Sequence, residues 1–533
     1  MSSELARAAV RISTNYARLI FMITMGIALV PIILSGSTAI GFGLWGLLGA
    51  TAGFGDMFKE IVKTSMNREL GEAYHRGDNK HFIRVFNSAL VVTIAATAFG
   101  ILIYIAIYAA LPLFNIEDGW MKSARTIVIF QGLASAFAIL TAPLFNLYLA
   151  SERMAVYNFF LVAERASYIL SAIFWIILYP AQDPQVNLVR FAITGSLLAV
   201  SVVGIAALTM IFLDRRTIPR LSMSSMEHIK QIVHTSGWNG VMSAALNLHI
   251  RLDQLLINLW FGLAGNAVFV AAVRLASYVR MITLGMTDGL DVVAARLSSQ
   301  NKSDRLNDLL PRITKLHAII AIPAASVVIV YAPAILNLWI GSHLNELQLS
   351  MSITTVRIIA IGMAARSISD GWISSLYGAG YVRRYAPMIL AGGVLNPIIA
   401  FALYKLLPDN RVPGTVISSF NAAAISFTSI FVGVHLMGMP RIVKSCLGIS
   451  VLTLVRPILK PALVGGLVVM SGAIFIRVMP INSVAILAIH AISIAAWAGL
   501  LTLLIVPDSN DRALIKRAVS SIKARVRPSP DQQ

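Results

Sequence analysis

Fourteen stretches of this chain are each long and apolar enough to cross a lipid bilayer, and no other feature restricts its fold as strongly. They fall near residues 18–37, 41–63, 83–110, 124–149, 155–179, 188–213, 234–260, 265–290, 313–339, 351–376, 385–405, 413–436, 461–478 and 484–506. About 20 apolar residues of helix span the hydrocarbon layer, where each backbone N–H and C=O must find its partner inside the segment. An all-α polytopic membrane protein follows. Composition agrees, with 57% hydrophobic and 13% charged residues. The stretch from Arg18 lacks a small-residue cleavage site and reads as a retained helix rather than a signal peptide. Cys446 is the single cysteine, which removes intramolecular disulfides and Cys-based zinc sites and makes redox chemistry an unexpected function.

The chain carries 43 Lys and Arg against 24 Asp and Glu, an excess that in a soluble protein would suggest nucleic acid. Its placement suggests topology instead, and no nucleic-acid partner is expected. Alternate connections hold Arg68, Arg76 and Lys80, then Arg153, then Arg215, Arg216 and Arg220, then Lys302 and Arg305, then Arg383 and Arg384, then Arg441 and Lys444. The intervening connections are short and poor in cations, around Asn115, Tyr179, Gly262 and Gly341. The positive-inside rule puts the basic set and both termini in the cytoplasm of a multi-pass protein of the cytoplasmic (inner) membrane.

Sliding the chain by about 224 residues lays GFGLWGLLGATAGFGDMF, from Gly41, over GNAVFVAAVRLASYVRMI, from Gly265. Two six-helix lobes are expected, residues 1–225 and 226–440, followed by two further helices at 441–507 and a basic cytoplasmic tail at 508–533. Transporters built from such repeats bind substrate between them.

Intramembrane charge marks where that site would lie. Arg251, Arg274, Arg280, Arg357 and Arg366 all fall within predicted spans of the second half. Facing lipid, five such side chains would cost roughly 12 to 18 kcal/mol on insertion scales, so some must face water or protein. On the seventh span Asn239, Ser243, Asn247, Arg251, Gln254 and Asn258 form one polar stripe. Interhelical hydrogen bonding is one reading of it; a cavity wall accounts better for Arg251. His249 and Asp253 lie on the other side of that helix and read as a structural pair. Arg274 shares a face with Ser277 and Tyr278, and Arg366 has Asp370 one turn on. Each arginine is either half of a buried ion pair or part of a cationic lumen, in which guanidinium groups grip phosphate oxygens in a fork.

The stretch FGDMFKEIVKTSM sets Asp56, Lys59, Glu60 and Lys63 at i, i+3 spacing as the second span approaches the cytoplasm. A wetted entrance and simple snorkelling of the lysines both fit, although snorkelling leaves Asp56 unexplained. Glu164, next to Arg165 in the fifth span, is open to proton coupling or local pairing. GFGLWG spells G-x-G-x-x-G but follows no strand, so it is not a dinucleotide site; no P-loop and no H-E-x-x-H occurs.

The N-terminal half, above all GLWGLLGATAGFGDMFKEIVKTSMNRELGEAYHRGD from Gly43, resembles Wzx-type polysaccharide flippases of the multidrug/oligosaccharidyl-lipid/polysaccharide (MOP) exporter superfamily. LDVVAARLSSQNKSDRLNDLL, from Leu290, is similar to the matching segment of that family's second half. The resemblance implies paired six-helix lobes around a central cavity and a non-enzymatic transporter that moves a polyprenyl-pyrophosphate-linked oligosaccharide outward by alternating access. It gives no invariant motif to carry over. The expectation is therefore a substrate site of Arg251, Arg274, Arg280 and Arg366 with Asn247, Gln254 and Asn258 on the sugars, and gating or ion coupling through Asp56, Lys59, Glu60, Glu164, Asp288 or Asp370. No metal site and no cofactor is expected beyond a coupling H+ or Na+. Membrane lipids, polysaccharide polymerases and glycosyltransferases are the expected partners. Lipid II flipping and multidrug antiport are the alternatives.

Overall fold

The computed structural model describes residues 2–287, 290–300, 303–409 and 417–507; within the helices, side chains are described except at 2–12, 54–56, 58–65, 67, 68, 235, 236, 239, 243, 250, 292, 299, 303 and 304. It is 90% helical and holds no strand among the described residues. Twelve helical stretches are long and apolar enough to cross a membrane. Two of them, Ser13–Gly53 and Gly240–Thr287, have 41 and 48 residues, about 60 and 70 Å at 1.5 Å per residue. That is twice the roughly 30 Å of hydrocarbon, so each is long enough to cross twice.

Both long helices are broken by one residue. Helix α1 (Ser2–His75) breaks at Thr38 (φ 64°, ψ 176°), and α7 (Met226–Thr287) breaks at Gly262 (φ 68°, ψ −167°). Positions 38 and 262 stand 224 apart, the offset at which the sequence repeats. The same break therefore occurs at the same place in each half. The positive φ suits glycine at 262, whereas Thr38 adopts it against the preference of a β-branched residue.

Between these lie α2 (Asn79–Ala110), α3 (Trp120–Leu140), α4 (Ala142–Ala150), α5 (Met154–Ala172), extended by a π-helical turn Ile173–Leu178, and α6 (Pro184–Leu213). After α7 come α8 (Leu290–Ser299), α9 (Ser303–Ile340), α10 (Glu346–Gly378), α11 (Val382–Leu406), α12 (Ala422–Phe431), α13 (Met439–Leu447), α14 (Val451–Val478) and α15 (Val484–Ile505). Local chemistry sets the ends. Asp78 caps α2 through the Lys80 and His81 amides, Asp183 precedes the N1 proline of α6, and Asn345 and Gln348 form a capping box on α10.

One apolar cluster is built from the first half, around Phe82, Phe86, Tyr148 and Met210, with Ile232 from the start of α7 closing it. Two lie in the second, around Trp372 and Phe427. A fourth docks α14 and α15 on α9, where enclosed His490 bonds the Tyr331 hydroxyl at 3.1 Å and the Met479 carbonyl at 2.9 Å. The largest joins the halves: Leu34, Leu44, Leu48 and Leu111 pack with Leu263, Ala267, Leu336 and Ile340. This seam gathers residues near the breaks and the short connections, so the lobes are sealed at that end.

The linker between the halves is fastened to the first. Arg216 forks onto Asp214 (2.9 and 2.6 Å), reaches Asn79 at 2.7 Å and lies over the Phe82 ring at 4.8 Å. The bond from Arg216 holds the Asp214 carboxyl below its ordinary range. Further on, the Arg220 and Ser225 amides bond the side chains of Asn87 and Ser88.

Candidate functional site: a cationic interface between the lobes

The first and second halves of α7 run against α1. A Cβ at Gly53 would come within 2.5 Å of Arg251 Nε, and one at Gly26 within 3.5 Å of Arg274 Nη1 and 2.8 Å of the Tyr278 hydroxyl. Arg251 donates to the Gly49 carbonyl at 3.1 Å. Thus two guanidiniums of the second lobe press on glycine surfaces of the first, which gives the small residues of α1 a packing role. Arg165 on α5 is exposed and lies within Coulombic range of Arg274. Among the described residues no carboxylate pairs with Arg274.

Arg280, on the same helix, reaches α10 instead. Its Nε and Nη2 bond Asp370 at 2.8 and 3.2 Å, and Arg366 Nε lies 3.2 Å from the same carboxylate. Two cations share one anion, so the trio carries net positive charge. The members differ in access: the side chain of Arg280 is 28% exposed, that of Arg366 only 6%. Arg366 is further held by His435 Nδ1 at 3.3 Å, which also meets the Ser369 hydroxyl at 2.9 Å. Trp372 bonds Thr314 and His317 bonds the Ser367 carbonyl, which fixes α10 against α9.

These positions revise part of the expected site. Of the two readings of Arg366, cavity wall or half of a buried ion pair, its contacts are those of the second: it is enclosed in the second lobe and pairs with Asp370, because burial of a guanidinium requires a carboxylate within reach. Asp370, expected as a gate or coupling group, is neutralised by the two arginines. Asn258 was expected to meet sugars. It is 0% exposed and trades two hydrogen bonds, each 3.2 Å, with the backbone N–H and C=O of Asn115 in the first lobe. Gln254 is buried, while Asn247 remains half-buried on the same stripe. Arg357 lies at the surface and donates to the Ile329 carbonyl at 3.1 Å. Glu164 is half-buried on α5. Asp56, Lys59 and Glu60 lie on α1, but their side chains, and Asp288 altogether, fall outside the described residues.

Two features escaped sequence reasoning. Asn266 donates to the Gly43 carbonyl at 2.9 Å, and Trp339 to that of Ile27 at 2.8 Å. With Arg251 and Asn258 they make four places, among the described residues, where side chains of the second lobe grip backbone of the first. The other feature is Asp253. Only 2% exposed, it accepts a 2.8 Å bond from Asn396 on α11, which is itself bonded by Ser426 on α12. His249 bonds the Ile389 carbonyl instead, so the two residues read as a pair each find a partner on α11. Among the described residues no cation pairs with Asp253. A carboxyl so enclosed either carries a proton or holds a cation. A polar residue at 396 within an apolar span was the available signal.

The described residues form a polytopic all-helical bundle of paired lobes sealed at one end, a fold that matches transporters of the MOP superfamily. Solved structures of that superfamily share it: the chain superposes on the inward-facing form of a multidrug resistance MATE family transporter with a TM-score of 0.67 at 13% identity, covering 82% of this chain and 99% of that one. On the lipid II flippase MurJ in an inward closed conformation the TM-score is 0.68 at 10% identity, covering 96% and 99%. An outward-facing MATE family structure gives 0.56 at 11% identity, covering 83% and 96%. At such identities the likeness is one of fold. No family model and no curated protein matches the sequence.

Proposed function

We propose that this chain flips a polyprenyl-pyrophosphate-linked oligosaccharide across the cytoplasmic membrane by alternating access, for export of a cell-surface polysaccharide. The observation that carries this reading is the guanidinium charge where the lobes meet: Arg274, with which no carboxylate among the described residues pairs, and Arg280, which shares the one carboxylate of Asp370 with Arg366. A permanent cation in a membrane interior favours an anionic ligand, and the guanidinium fork fits phosphate oxygens. A cavity for cationic drugs calls for the opposite charge. The superposition on the flippase also reaches further than that on the MATE transporters. The 4% it leaves uncovered is shorter than either α14, of 28 residues, or α15, of 22. The seal at the short-loop end fits a state open to the cytoplasm, from which the lobes rock outward.

Transport in proteoliposomes of a fluorescent undecaprenyl-pyrophosphate oligosaccharide tests the reading. Arg274→Ala and Arg280→Gln should each slow flipping about tenfold or more, as the loss of a charge-assisted hydrogen bond to phosphate implies, while both variants still insert and fold. Full activity in both variants would remove the site. A second reading, lipid II as substrate, is favoured by the likeness to MurJ and shares the pyrophosphate; the same assay with labelled lipid II separates the two.

Asp253 is the coupling residue in this scheme. Asp253→Asn preserves the bond to Asn396, so it should leave glycolipid binding intact and abolish the response of transport to an imposed H+ or Na+ gradient. A variant that still follows the gradient would exclude it.

A further inference from the structure

We propose that the first lobe carries a binding site for an anionic phospholipid in the leaflet at the short-loop face, with an acyl chain in a groove between α5 and α6 and the phosphate on Arg190. The proposal is independent of the transported substrate.

The groove has a volume of about 430 Å³ and is lined by Leu170, Ile173, Phe174 and Leu178 on one wall and by Thr194 and Leu198 on the other. This lies in the range of small-ligand sites. Its shape originates in the backbone. The π-helical turn Ile173–Leu178 widens the end of α5, as such turns do at functional sites, and sets Leu170, Phe174 and Leu178 at four-residue steps along one wall. Across from them Thr194 and Leu198 are also four apart. Leu170, Phe174, Leu178 and Leu198 are all exposed, which within a bilayer means contact with lipid chains.

Any acyl chain would fit such walls; the polar group at one end selects among them. Thr194 accepts a 2.8 Å bond from the Trp175 indole N–H, and Arg190, one turn earlier on α6, lies 5.0 Å over the Trp175 ring. The guanidinium is thereby held beside the short-loop end of the groove. It is exposed, and among the described residues no carboxylate pairs with it. Arg190 is six residues into α6, about 9 Å along the axis, so its side chain reaches headgroup depth by snorkelling. Trp175 and Tyr179 sit at the level of an interfacial aromatic belt. A cation with no carboxylate partner among the described residues, at the mouth of an apolar groove, matches a lipid whose headgroup bears net negative charge.

The test is native mass spectrometry of the full-length, delipidated protein in detergent with equal dioleoyl phosphatidylglycerol and dioleoyl phosphatidylcholine. The expected result is one phosphatidylglycerol retained with about tenfold preference, the scale of one charge-assisted hydrogen bond. Arg190→Gln should bring the two lipids to parity, and Leu198→Trp, which fills the groove and leaves the cation, should lower retention of both. Equal retention by the unaltered protein, unchanged preference in Arg190→Gln, or displacement of phosphatidylglycerol by equimolar undecaprenyl phosphate would each overturn the proposal, the last by making the groove a substrate-tail site.

Discussion

Replacing Asp370 by alanine should destabilise the protein by about 3–5 kcal/mol, the cost of stranding a buried charge. Arg366 is 5% exposed, and its other polar contact is His435 Nδ1 at 3.3 Å, which does not neutralise it. Arg280 loses the same partner, but with its side chain 28% exposed it regains water. The two arginines therefore respond differently. Arg280→Gln leaves the Arg366–Asp370 pair intact and should cost less, no more than about 1.5–3 kcal/mol, the range of a charge-assisted bond. Arg366→Met combined with Asp370→Leu removes both buried charges and should recover most of the lost stability. Thermal unfolding of the purified variants in one detergent ranks them. An Asp370→Ala protein as stable as Arg280→Gln would mean that Arg366 is not enclosed as described.

Gly43→Val should hold the short-loop end of the lobes apart. A Cβ at Gly43 would collide with the Leu263 carbonyl and come within 3.2 Å of the Ala267 amide nitrogen. Both obstacles are backbone, which no rotamer change relieves. The Asn266 bond to the Gly43 carbonyl closes at the same point, so separation there also loosens that grip. Overpacking of this kind costs about 1–3 kcal/mol and falls entirely on the sealed state, which shifts the balance towards outward opening by roughly ten- to a hundredfold. Ala271 is 1% exposed in the seam. In a Cys446→Ser background, Ala271→Cys should resist a membrane-impermeant maleimide applied from the short-loop side, and adding Gly43→Val should speed its labelling by that factor. Gly49→Ala is the control, since nothing lies within 4 Å of its added Cβ. Equal labelling with and without Gly43→Val would show that the seam is not the gate.

The spans and the paired breaks were legible because neither depends on a tertiary contact. Hydropathy over 20 residues depends on no distant partner, and the expected ends of the first and seventh spans fall beside the breaks at Thr38 and Gly262. The polar stripe on α7 was legible as a stripe, but its members proved to have different tasks. Arg251 meets α1, Asn258 grips Asn115, and Asp253, on the other side of the helix, bonds Asn396. Helical periodicity gives the direction of a side chain around its own axis and says nothing of which helix stands there.

By itself, then, the sequence determined that this is an all-helical, multi-pass chain with arginines inside its apolar spans. The insertion cost of each residue and the length of each apolar stretch require that much. Only the tertiary structure decided which arginine obtains a carboxylate and which stays exposed. Partners such as Arg280 and Asp370, or Asn266 and Gly43, are far apart in the chain and meet only when the lobes pack. The energy of a charge in a membrane depends on those neighbours more than on the residue that bears it.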